Sequence, residues 1–163
     1  MLEMTLCTDV EINSILNRYS DMVYRLALAR TKNKSDAEDV FQEVFLRLIH
    51  KKPLFENEEH QKAWLIKVTV NCSSKLLTSA WFRRTVPLLE ELKFETKEKS
   101  EVFYAVLELP VKYRTIIHLF YYEDLSITKI SEVLSIKEST IKSQLSRGRQ
   151  MLKTKLKGDF DYE

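Results

Sequence analysis

The sequence predicts an all-α protein: two small helical domains joined by a flexible acidic linker, the second containing a helix-turn-helix. Three observations carry that expectation. The 163 residues include only 2 Gly and 3 Pro, too few for the tight turns of a barrel, a sandwich or a Gly-rich nucleotide fold. Apolar residues, 44% of the chain, recur at helical spacing instead of alternating. Residues 85–101 (TVPLLEELKFETKEKSE) combine Pro87 with a dense charge run of poor amphipathic order, as a linker does. The domains expected from these signals are 10–84 and 102–157, with 85–101 between them.

Each element follows from local chemistry. The first helix is expected from about Ile12 to Arg30, with Ile12, Leu16, Tyr19, Val23, Leu26 and Ala27 on one side. After a polar break at Thr31 to Lys34, Ser35-Asp36-Ala37-Glu38 reads as a capping box opening a second helix. Pro53 stops that helix after Lys52, and residues 53–60 (PLFENEEH) form a loop. A third helix covers about Gln61 to Phe82, with Leu65, Val68, Cys72, Leu76 and Ser79 along one side. Beyond the linker a short helix runs from Val102 to Glu108, and another starts at Pro110, a favourable first helical position. It carries Tyr113, Ile116, Ile117, Phe120 and Tyr121; the next spans Ser126 to Leu134, and the last Glu138 to about Leu156.

The net charge is +2, but it is unevenly spread. Residues 1–60 carry 8 basic and 11 acidic side chains, 61–85 carry 5 basic and none acidic, and 137–157 carry 7 basic and 1 acidic. Two basic islands are two candidate footprints for a polyanion. Cys7 and Cys72 form no CxxC pair, which points to a reducing compartment. No apolar run approaches the ~20 residues that span a bilayer, and the start lacks signal-peptide order, so a cytoplasmic location is expected. His50, His60 and His118 are scattered, with no HExxH, P-loop or Gly-flanked serine. No catalytic residue, metal, cofactor or small-molecule substrate is expected.

The last two helices have helix-turn-helix spacing, with the turn at Ser135-Ile136-Lys137. Ile141, Leu145, Gly148 and Leu152 form the packing stripe of the second helix. Ser139, Thr140, Ser143, Arg147 and Gln150 lie opposite, where small hydroxyl residues let a backbone approach a groove and an arginine reach a base edge. Lys142, Arg149, Lys153 and Lys155 flank that face and suit phosphates. The second helix of the chain is less ordinary. Ala37, Phe41, Val44, Phe45 and Leu48 point one way, while Asp39, Gln42, Glu43 and Leu46 point the other. An apolar residue inside an acidic arc is the pattern of a protein-docking patch. The third helix aligns Lys67, Asn71, Ser74, Lys75 and Thr78, with Trp64 at the margin and Trp81-Phe82-Arg83-Arg84 at the end. Cations with stacking aromatics are what unpaired bases require.

Taken together, these residues resemble the bacterial RNA polymerase sigma factors of the compact extracytoplasmic-function (ECF) type. Asp36-AEDVFQEVFLRL resembles the polymerase-docking helix, Phe55 to Arg84 the segment that recognises and melts the minus-ten element, and Leu109 to Lys153 the domain that reads the minus-thirty-five element. The chain departs from the usual pattern at Lys137 and Ser139 (Pro and Gly), Gln144 (Arg) and Gly148 (Ala). The resemblance implies docking by Asp39, Gln42, Glu43 and Leu46 on the clamp coiled coil of the polymerase's largest subunit. It implies capture of non-template bases by Glu56, Asn57, His60, Trp64, Lys67, Asn71, Lys75, Arg83 and Arg84. Duplex promoter DNA would be read by Ser139, Thr140, Lys142, Ser143, Gln144, Arg147 and Arg149, and an anti-sigma factor is an expected partner. The other reading of the residues is a stand-alone helix-turn-helix transcriptional regulator.

Overall fold

The structure, a computed structural model, describes residues 8–79 and 97–160. Among these residues every regular element is helical. The first three helices are α1 (Asp9–Thr31), α2 (Lys34–Lys51) and α3 (Glu58–Ser79). They form one compact unit, and the helices beyond residue 97 form a second.

The capping box lies at the start of α1, where Thr8 Oγ1 accepts from the Glu11 N–H and Glu11 Oε2 accepts from the Thr8 N–H. The box expected at Ser35 is absent. Asn33 caps α2 instead, its Oδ1 accepting from the Asp36 N–H at 3.1 Å. Lys32 makes this possible by adopting a left-handed φ of 58° and returning its N–H to the Leu28 carbonyl, so the chain reverses within two residues. Ile15, Val23 and Leu26 of α1 meet Val44 and Leu48 of α2 and Leu65 and Ile66 of α3 in the core. Each such side chain contributes ~1.5–3 kcal/mol when fully buried, so packing and not local propensity holds these helices. Leu16, expected in that core, is only half-buried. One buried cation crosses the unit: Arg30 donates from Nε to Ser73 Oγ (2.6 Å) and from Nη2 to Ser74 Oγ (2.7 Å), tying α1 to α3. Burial lowers its pKa to about 10.

The second unit contains α4 (Lys97–Leu107), α5 (Val111–Ile117), a π-helical turn (His118–Tyr122), α6 (Ile127–Leu134) and α7 (Glu138–Phe160). The start of α4 falls inside the stretch that composition assigned to the linker. Pro110 is the N-cap of α5, with ψ 146°, and so stands just outside the helix. That helix widens into the π turn, where buried His118 Nε2 meets buried Glu123 Oε1 at 3.2 Å and the imidazole stacks on Tyr122. Ser126 caps α6 by accepting from the Lys129 N–H. Ser135, left-handed at φ 55°, ends it, and Ser131 Oγ pins the turn by donating to the Ile136 carbonyl at 2.5 Å. Ile130, Ile141 and Leu145 join Ile116, Ile117 and Leu119 in the second core. Gly148 lets α7 close on α5, since a Cβ there would stand 3.0 Å from Ile117 Cγ1.

Candidate nucleic-acid and partner interfaces

On α2 the buried residues are Ala37, Val40, Val44, Phe45 and Leu48. Phe41 is half-buried, held edge-on by Tyr24 and against Phe45 at 4.7 Å between ring centroids. Asp39, Gln42 and Glu43 are exposed, and Leu46 is 49% exposed among them. Ile49, one turn on and 44% exposed, extends the apolar centre. Sequence reading passed over it, although an isoleucine three residues after Leu46 shares its face. Glu43 accepts from Arg47 Nε at 3.1 Å.

Between α2 and α3 lies a groove of about 330 Å³, floored by Val40, Cys72 and Leu76. Asp39, Glu43 and Arg47 line it from α2, and Lys75 lines it from α3. Burial pushes the Cys72 thiol above its usual range, against the opposing pull of Arg47 and Lys75. The structure therefore brings Lys75 to the acidic arc of α2, a placement that a helical wheel of α3 alone does not reveal.

The loop before α3 is internally bonded. The Glu56 N–H donates to His60 Nδ1 at 3.1 Å, which leaves the imidazole proton on Nε2 when the ring is neutral. The His60 N–H donates to Asn57 Oδ1 at 2.8 Å, so Asn57 caps α3. Phe55 packs edge-on against both His60 and Trp64, and Trp64 is half-buried. Glu56, Asn57, His60, Lys67 and Asn71 are all exposed. Arg83 and Arg84 lie outside the described residues.

On α7, Ser139, Thr140, Lys142, Ser143 and Arg147 are exposed. Gln144 is half-buried, and its Oε1 is enclosed with no hydrogen-bond partner; its carbonyl faces the protein, not a groove. The Tyr113 phenol is held below its ordinary pKa chiefly by the neighbouring Arg147 guanidinium, with Lys112 reinforcing it. Arg149 is exposed but engaged: its Nε donates to the Tyr121 hydroxyl at 2.5 Å, and its guanidinium lies over Phe120 and Tyr121. With Lys153 it edges an apolar groove of about 530 Å³ floored by Val102, Val106, Leu152 and Leu156. Sequence spacing could not find this partnership, because Tyr121 is 28 residues away.

Residues 15–83 match the family Sigma-70 region 2, and residues 100–152 match Sigma-70, region 4. The chain is 31% identical over 159 residues to ECF RNA polymerase sigma factor SigM of Bacillus subtilis (strain 168), covering 87% of this chain and 93% of that one. The chain belongs to the ECF RNA polymerase sigma factors. RNA polymerase sigma factor SigV of the same organism is 30% identical to this sigma factor over 138 residues, 82% of this chain and 83% of the relative. Among solved structures, the sigma factor RpoE of Bartonella quintana, in complex with the anti-sigma factor NepR, shares the fold. Its TM-score is 0.76 at 20% identity, over 90% of this chain and 97% of that one. CnrH in complex with the cytosolic domain of CnrY gives a TM-score of 0.69 at 18% identity, over 93% and 91%. Sigma factors act by binding, and this one binds core RNA polymerase and directs promoter-specific initiation of transcription. None of its described helices is long and apolar enough to cross a membrane.

Proposed function

We propose that this sigma factor divides its work by unit. Residues 10–84 dock on the polymerase clamp coiled coil and hold the melted minus-ten strand; residues 102–157 read the minus-thirty-five duplex; 85–101 tether the two. Docking falls to Asp39, Gln42, Glu43 and Leu46. Base capture falls to Lys67 and Asn71, with the loop of Glu56, Asn57 and His60 beside them. Ser139, Thr140, Lys142, Ser143 and Arg147 face the major groove. The protein acts in the cytoplasm and catalyses no reaction of its own. An anti-sigma factor holds it inactive, a reading supported by the NepR complex of the Bartonella relative. The observation that carries the division is the exposed leucine within the acidic arc of α2, which a stand-alone regulator has no use for. The test is run-off transcription on a genomic fragment pool with purified core polymerase. Specific transcripts should appear only when this protein is added; tight duplex binding by the protein alone, with no such transcripts, would favour the regulator.

The upstream reading makes a separable prediction. Arg147→Ala should weaken promoter binding by ~1–3 kcal/mol and erase preference for the upstream element. Lys153→Ala, a phosphate candidate, should weaken all sequences alike and flatten the salt dependence. Competition binding on matched and scrambled upstream elements distinguishes them. Unchanged preference in Arg147→Ala would remove that residue from base recognition.

A further inference from the structure

We infer that Lys75 belongs to the polymerase-docking surface, and that the groove between α2 and α3 receives an apolar side chain of the polymerase flanked by charges of both signs. This rests on the docking reading of α2. Sequence spacing groups Lys75 with Lys67 and Asn71, but the three do not share one direction. At ~100° per residue, Lys67 lies about 80° and Asn71 about 40° to one side of Lys75, while Cys72 and Leu76 lie on the other side. It is this second side that faces α2: Cys72 and Leu76 floor the groove with Val40, and Lys75 borders it opposite Asp39 and Glu43.

The charge pattern chooses the occupant. The lining sets Asp39 and Glu43 against Arg47 and Lys75, with Arg47 already paired to Glu43, so a DNA strand entering here would find no net positive charge for its phosphates. A protein surface can place cations against Asp39 and Glu43 and an acid against Lys75 at once, which is how charged rims fix partner and register. Glu43, which lines the groove, lies one helical turn from the exposed Leu46. The groove's floor is apolar and its volume, about 330 Å³, suits one or two inserted side chains. Cys72 adds no reactivity of its own, being buried with its thiol pKa raised.

The experiment compares full-length wild type with Lys75→Glu, Lys75→Arg and Asn71→Ala. Affinity for core polymerase is read by fluorescence anisotropy, and promoter opening by permanganate reactivity at saturating sigma. Lys75 is exposed, so circular dichroism should show all variants folded. Lys75→Glu should lose about tenfold or more in core affinity, Lys75→Arg should restore most of it, and opening at saturation should match wild type. Asn71→Ala should do the reverse, binding core normally and opening poorly. If Lys75→Glu binds core like wild type, whether or not opening fails, the assignment is overturned and Lys75 returns to the DNA face or to solvent. Asp39→Arg with Glu43→Arg serves as control. Normal core binding by that variant would remove the docking reading of α2 itself, and the assignment of Lys75 with it.

Discussion

Core RNA polymerase should fail to retain the Asp39→Arg, Glu43→Arg variant on gel filtration, and the variant should yield no run-off transcript. Both carboxylates are exposed on α2, so the fold loses little. Surface substitutions of this kind usually change stability by ~0.5 kcal/mol. The exposed Glu43–Arg47 pair is an (i, i+4) contact worth ~0.3–0.5 kcal/mol. The helical circular-dichroism signal and melting temperature should therefore stay close to wild type. Binding behaves differently, because the two arginines would put like charge where a partner presents cations, at the edge of the apolar centre formed by Leu46 and Ile49. Interfaces concentrate their energy at such centres, and like-charge juxtaposition there costs several kcal/mol. A folded variant that still co-elutes with core polymerase would sink the docking role of α2.

Gly148→Leu should strip the second unit of function by unseating α7 from α5. Even a methyl group at this position meets Ile117 Cγ1 at 3.0 Å, Ile117 Cδ1 at 3.2 Å and Tyr113 Cβ at 3.6 Å. Ile117 is buried in the core and has little room to retreat. A leucine gains ~1 kcal/mol in helix propensity over glycine, but overpacking a filled site costs ~1–3 kcal/mol, occasionally more, and here several atoms are added. The expected result is a lowered melting temperature and loss of upstream-element binding, with core polymerase still bound through α2. Gly148→Ala adds one carbon, which Ile117 must accommodate by a few tenths of an ångström, so propensity and crowding should nearly cancel. A leucine variant as stable as wild type would mean that α7 can slide on α5.

The helices were legible because their burial is periodic. The arc of Asp39, Gln42 and Glu43 could be found from one helix alone, since Val40, Val44 and Leu48 fix which side of α2 faces inward. What escaped depends on contacts between elements. Lys75 looks like a neighbour of Lys67 until α2 is packed beside α3. The bond from Arg149 to Tyr121 spans 28 residues and leaves no periodic trace. Gln144 looks like a base reader, yet its carbonyl oxygen is enclosed. Short-range rivals misled too: Ser35 and Asn33 both suit an N-cap, and the left-handed turn at Lys32 decides between them. The π turn at His118 escaped because a period of 3.6 residues does not single out its five-residue closure, which the buried pair of His118 and Glu123 spans.

The left-handed residues have a consequence for how long the protein lasts. Helices α1, α2 and α6 end on Lys32, Lys52 and Ser135, each at positive φ, where a glycine would avoid the Cβ clash that costs ~1–2 kcal/mol. With only two glycines in the chain, that strain is kept in the folded state. Each kilocalorie of stability given up raises the unfolded population about fivefold, and cellular proteases draw on that population. The same three joints that shape the units thus narrow the free sigma factor's margin against proteolysis.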